Sequence, residues 1–155
     1  MSGTVEKRLA DLGIALPDAA APIANYVPAV RTGNLLYISG QLPLAAGKMA
    51  AEGHVGGSVT VEQGVAAARQ CALNLIAQAK LALNGDLDRI KRVVKLTGFV
   101  ACDGDFTQHP QIINGASDVM VEVFGDAGRH TRAAVGSPSL PRGAPVEVDA
   151  VFEVS

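Results

Sequence analysis

Residues 60–85, TVEQGVAAARQCALNLIAQAKLALNG, carry the signals of a helix from its first residue to its last. Thr60 and Gln63 stand at the spacing of a capping box, in which the hydroxyl accepts from the amide three residues on and the glutamine side chain accepts from the Thr60 amide. Val61, Val65, Ala68, Ala72, Leu75, Ile76, Ala79 and Leu83 form one apolar stripe at helical spacing, and Asn84-Gly85 is a stop. A helix with one apolar face needs a second layer to bury it. The following segment supplies one. After a DLDRI turn, Val94, Leu96, Gly98, Val100 and Cys102 alternate with Val93, Lys95, Thr97 and Phe99, the period of a strand.

Reading outward from this pair, a second helix is predicted near 109–124. Ile112, Ile113, Ala116, Val119, Met120 and Val123 recur at helical spacing, with Pro110 in the first turn and Gly125 at the stop. The C-terminal run alternates Val146, Val148, Ala150, Phe152 and Val154 with Glu147, Asp149, Val151 and Glu153, as a strand with one buried face does. Arg132 lies on a further strand. Upstream, NYVPAVRTGNLLYISGQLP reads as a hairpin turning at Thr32-Gly33-Asn34, and residues 44–59 read as loop with at most one short strand. Residues 4–16 predict a short helix with Thr4 as its cap and Gly13 as its end, followed by a Pro/Ala connector at 17–22. The order of elements predicts an α+β domain: one sheet with both long helices on one face. On the other face Val93, Phe99, Ala133, Val135 and Val151 mix with charged residues, so association between subunits is expected to cover it.

At 155 residues the chain fits one domain that needs neither disulfide nor metal to hold its core. Cys71 and Cys102 sit far apart in apolar segments and read as buried free thiols. The N-terminal stretch lacks the apolar region of a signal peptide, and no run of roughly 18 apolar residues is present, so a cytoplasmic protein without membrane association is expected. A formal net charge of −2, with aromatic residues at 4%, disfavours nucleic acid as a partner, because phosphate neutralisation and base stacking both lack their usual residues.

Few residues are arranged for chemistry. His54, His109 and His130 have no metal-ligand spacing, Ser39 in I-S-G-Q is no nucleophile elbow, and GHVGG at 53–57 lacks the ending of a phosphate loop. The remaining feature is a pair of opposite charges near the C-terminus, Arg132 among alanines and Glu147 in PVEVDAV. An antiparallel hairpin folded about residues 139–140 would set them opposite one another, although Pro138 and Pro141 oppose a tight turn. A guanidinium fork matches a carboxylate, and the sequence leaves open whether that carboxylate is Glu147 in a structural ion pair or a ligand.

Three segments carry a family resemblance: Y-V-P-A-V at 26–30, L-Y-I-S-G-Q-L-P at 36–43 and R-x(7)-L-P-x-G-x-x-V-E-V at 132–148. Together they resemble the RidA/YjgF proteins, also known as the endoribonuclease L-PSP family, from about Pro22 to Val154. The resemblance implies a RidA/YjgF-like domain over 22–155 preceded by an N-terminal helical extension and linker over 1–21. It also implies the chorismate-mutase-like (bacillary) fold, with one mixed sheet, and a homotrimer whose sheets form an inner β-barrel, with helices outside and a ligand cleft at each subunit boundary.

In the family's deaminase members the Arg matching Arg132 clamps a substrate carboxylate and the Glu matching Glu147 positions or activates water. Positions matching Tyr26, Ser39, Gly40 and Asn114 line the cleft. The implied activity is hydrolysis of reactive 2-imino acids to 2-keto acids and ammonia, with a small carboxylate-bearing metabolite as partner and neither metal nor cofactor. A non-catalytic binder of 2-keto acids is the alternative, and endoribonuclease activity is disfavoured by the acidic balance and the lack of a His pair. The chain departs from the deaminase pattern at Ala134, often Cys in those members, in an insertion near Thr107–Gln111, and in the N-terminal helix.

Overall fold

The computed structural model describes residues 3–155. Its central feature is a five-stranded sheet ordered β1-β2-β7-β5-β6, built from β1 (Ala29–Thr32), β2 (Leu35–Gln41), β5 (Ile90–Ala101), β6 (Thr131–Ser137) and β7 (Val146–Val154). Two dipeptide strands, β3 (Leu44–Ala45) and β4 (Lys48–Met49), form a separate small hairpin where the sequence reads mostly as loop. The helices are α1 (Thr4–Asp11), α2 (Val61–Ala82) and α3 (His109–Phe124). The predicted capping box forms on α2: Gln63 N donates to Thr60 Oγ1 at 3.1 Å and Thr60 N to Gln63 Oε1 at 2.9 Å. Both long helices pack on one face of the mixed sheet, as the order of elements predicts.

Within the five-stranded sheet β5 and β6 pair in parallel and the other neighbours antiparallel, and α3 is the crossover that a parallel pairing requires. β7 enters between β2 and β5, antiparallel to both. The hairpin that would have set Arg132 opposite Glu147, and that Pro138 and Pro141 opposed, therefore does not form. The chain leaves β6 through a proline-bearing 3-10 turn at Pro141–Gly143 and crosses the sheet. A strand that alternates as fully as β7 is satisfied best in the centre, where both of its edges are hydrogen-bonded and Val146, Val148, Ala150, Phe152 and Val154 are buried. Each large side chain removed from water in this way contributes about 1.5–3 kcal/mol.

The core lies between sheet and helices, with Phe152, Leu36, Leu75, Ile76, Leu96, Ile112, Ile113 and Met120 fully buried. The small residues of α2 let the helices approach closely: a Cβ on Gly115 of α3 would collide with the Val65 carbonyl of α2. A register shift between Val93 and Lys95 in β5 corrects one expectation. The extra residue puts Val93 in the core with Leu96 and turns the half-buried Val94 to the opposite face, the reverse of the simple alternation. On that opposite face Val30, Leu35, Tyr37, Val94 and Val151 surround a depression of about 580 Å³ that also reaches Lys95 and Asp149.

The N-terminal segment is fastened to this body. Gly3, not Thr4, is the N-cap of α1, and the capping acceptor comes from far away in sequence: Thr4 N and Val5 N donate to the Asp88 carboxylate at 2.8 and 2.9 Å. Those two amides hold the Asp88 carboxyl below its ordinary range. α1 ends at Asp11, earlier than the apolar spacing suggests, and Gly13 completes the stop at φ +68°. Leu9 is buried, and Gln78 Nε2 donates to Ala20 O at 2.7 Å, holding the connector against α2. Among the described residues no helix is long and apolar enough to cross a membrane.

Candidate functional site

The candidate residues fall into two groups. The first collects where β2 meets β7. The β2 pairing shifts register between Ile38 and Gln41, which frees Ser39 and Gly40 from the regular ladder. Ser39 N then donates to Pro28 O and its hydroxyl to Val27 O, both at 2.9 Å, bringing the segment after Tyr26 alongside. Gly40 leaves room for Glu147: a Cβ there would collide with the Glu147 carboxylate. Tyr26, 45% exposed, shares a small depression with Gly40, Gln41 and Arg142.

Glu147 itself is half-buried, with neither an ion-pair nor a hydrogen-bond partner for its carboxylate among the described residues. Burial pushes its carboxyl up from the ordinary value, and Asp149 on the same face adds to the shift. A carboxylate raised in this way is a better base toward water than a solvated one.

The second group lies on β6, an edge strand of the sheet separated from β7 by β5. Arg132 on β6 is in register with Leu96 of β5, whereas Glu147 is in register with Phe99. Leu96 and Phe99 are an odd number of residues apart, so the two charged side chains leave opposite faces of the sheet. Arg132 faces α3. Its Nη1 donates to Ser117 Oγ at 3.0 Å and its Nη2 to Pro110 O at 3.2 Å, and among the described residues no carboxylate lies within ion-pair reach. Asn114, exposed, stands on α3 between those two partners. The guanidinium is thus half-buried, oriented by neutral acceptors, and left with N–H donors to spare.

Within one chain the structure therefore groups Tyr26, Ser39, Gly40 and Glu147 together, groups Arg132 with Asn114, and brings no contact between the two sets. Each set presents one half of a charge pair.

Sequence reasoning missed several neighbours of Arg132. His130, half-buried, approaches Ser117 Oγ with Nε2 at 2.9 Å and Gly128 O with Nδ1 at 2.6 Å. The signal was present: His130 and Arg132 are two apart at a strand, hence on one side, and Ser117 is one helical turn beyond Asn114. Farther along the same face the missing Cβ of Gly136 makes room for Cys102 Sγ and His109 Nε2, which meet at 3.4 Å. Cys71 and Cys102 are both buried free thiols, and burial pushes both up. The His54 ring is held between Asp103 Oδ1 and Pro138 O, each at 2.8 Å. Among the described residues no three His, Cys, Asp or Glu side chains converge as a metal site would require.

Comparison with known proteins gives this geometry a context. Residues 6–152 match the family described as "YjgF/chorismate_mutase-like, putative endoribonuclease". Protein TCP17 of Trypanosoma cruzi is 52% identical, with 99% of this chain and 96% of that protein covered. A 2-iminobutanoate/2-iminopropanoate deaminase of Dermatophagoides farinae is 30% identical over 91% of this chain and 94% of its own length. Among solved structures, protein Atu1372 of Agrobacterium tumefaciens, of unknown function, superimposes with a TM-score of 0.91 at 52% identity, covering 97% of this chain and 92% of that one. By fold and by sequence, the chain belongs to the YjgF/RidA family.

Proposed function

We propose that this protein is an enamine/imine deaminase that hydrolyses small 2-imino carboxylates in clefts shared between the copies of a homotrimer. The observation that carries the reading is the division of the two charges. Among the described residues, a guanidinium without an anion on the edge strand β6 and a carboxylate without a cation on the central strand β7 stand on opposite faces of one sheet, an arrangement that association of copies would complete. The apolar depression around Tyr37, Val94 and Val151 is the surface such an assembly would cover. The relative named 2-iminobutanoate/2-iminopropanoate deaminase supports the substrate class.

The chemistry asks little of the protein. Arg132 of one copy holds the carboxylate through its free N–H groups, and Asn114 offers a carboxamide beside it. Glu147 of the neighbouring copy takes a proton from water, whose oxygen forms a bond to the imine carbon as the C=N π pair moves to nitrogen. The proton held by Glu147 passes to nitrogen, giving a carbinolamine. Glu147 then takes the hydroxyl proton and delivers it to the same nitrogen as the C=O bond forms and the C–N bond breaks with its electron pair on the departing ammonia. Imine and water become 2-keto acid and ammonia, with orientation supplying most of the acceleration.

Ala134 favours a second reading, a binder of 2-keto acids without catalysis, because the thiol often found at that position in deaminase members is absent. Ammonia release from freshly generated 2-iminopropanoate separates the two. The deaminase reading predicts turnover that Arg132→Ala and Glu147→Gln each abolish. Affinity for 2-oxobutanoate without any turnover in the unaltered protein would establish the binder instead.

A further inference from the structure

We infer that His130 and Ser117 form a neutral hydrogen-bond relay that aims the Arg132 guanidinium, making His130 a positioning residue for carboxylate binding. The inference rests on reading Arg132 as the carboxylate clamp and goes beyond it, since neither relay residue belongs to the candidate set above.

The direction of each bond follows from what the groups can do. The Gly128 carbonyl only accepts, so His130 Nδ1, 2.6 Å away, carries a proton and donates it. In a neutral ring Nε2 is then bare and accepts the Ser117 hydroxyl proton across 2.9 Å. Ser117 has one proton and has given it to the ring. Its oxygen lone pairs face Arg132 Nη1 at 3.0 Å, while Pro110 O holds Nη2 at 3.2 Å on the other side. Two acceptors fix the planar fork in one orientation, and the remaining N–H groups are left for an anion beside Asn114.

Burial lowers the proton affinity of His130, the bond to Gly128 O opposes it, and the positive charge of Arg132 adds to the lowering; the net direction favours the neutral ring. The other charged groups near it are spoken for or turned to solvent: Arg129 is ion-paired with Asp126 at 3.6 Å, and Asp118, beside Ser117 on α3, is exposed. A proton on Nε2 would reverse the relay. The ring would then donate to the same serine oxygen that Arg132 uses, and two cations would share one acceptor. Carboxylate affinity should be flat above the ordinary histidine value of 6.5 and weaken as pH falls through the lowered His130 value.

Calorimetric titration with 2-oxobutanoate from pH 5 to 8 tests this. His130→Phe and Ser117→Ala remove the acceptor chain and should weaken binding about tenfold at neutral pH, the scale of one hydrogen bond to a charged group. His130→Gln keeps an acceptor near the Nε2 position without titrating, so it should restore affinity and flatten the pH profile, which separates positioning from a fold defect. Equal affinity and an unchanged profile in all three variants would overturn the relay. If 2-oxobutanoate binds the unaltered protein and Arg132→Ala alike, the clamp reading fails instead, and with it the purpose of the relay. Nitrogen-15 NMR of the free protein at pH 7 provides a ligand-independent arm: His130 should be neutral with its proton on Nδ1, and a charged ring or the opposite tautomer would refute the arrangement.

Discussion

Replacing Gly40 by alanine adds one methyl group, and its neighbours determine what that methyl costs. A Cβ built on Gly40 overlaps the Glu147 carboxylate and comes within 3.0 Å of Glu147 Cδ and 3.2 Å of its Cγ. Gly40 is absent from the positive-φ glycines, so alanine meets no backbone strain there. The obstacle is the far end of a flexible side chain, which yields by rotating. The stability cost should stay within about 1 kcal/mol, below the usual 1–3 kcal/mol of overpacking. The carboxylate, however, must swing by about 1 Å or more, and displacements of that size cost on the order of 100-fold in rate.

Gly115→Ala is the internal control. Its Cβ strikes the Val65 carbonyl, a rigid backbone atom, so the methyl should cost about 2 kcal/mol and lower Tm by about 4–8 °C at fixed protein concentration. The paired assay is ammonia release from 2-iminopropanoate beside a thermal melt. Gly40→Ala should lose activity and keep its Tm. Wild-type kcat in a folded Gly40→Ala protein would refute the role assigned to Glu147.

Two further perturbations follow from the same contacts. Arg132→Lys keeps the charge and removes the fork, so 2-oxobutanoate should bind at least tenfold more weakly, and unchanged affinity would show that a point charge suffices. Asp88→Asn should release α1 without unfolding the sheet, read as faster hydrogen exchange at Thr4 and Val5. Because the Asp88 value is lowered in the fold, its contribution is fully present above the ordinary 3.8 and is lost as pH falls through the folded value. The same exchange should therefore accelerate in the unaltered protein below about pH 3.8 and not at pH 6.

Local signals made the helices and most strands legible. Thr60, Gln63 and Asn84-Gly85 fix the limits of α2 by chemistry that depends on a few adjacent residues, and β7 alternates without interruption over nine residues. Strand order was not legible locally. Nothing near Arg132 or Glu147 announces that β7 passes β6 and enters beside β2, because the burial that selects that slot is spread over the whole sheet. Val93 and Val94 exchanged faces for a related reason, since one inserted residue inverts a period-two pattern. The cap on α1 comes from Asp88, 84 residues from Thr4, beyond the reach of any window. The candidate residues were legible through the family segments, while the division of those residues between two faces needed the register.

A shared cleft makes a demand that a cleft within one chain cannot meet. Arg132→Ala and Glu147→Gln proteins, each inactive alone, can be unfolded together in equal amounts and refolded as mixed assemblies. If Arg132 of one copy works with Glu147 of its neighbour, random mixing restores both groups in about a quarter of the clefts, and about a quarter of wild-type ammonia release should return. Mixed assemblies that form and remain inactive would place both groups in the same chain and contradict the account.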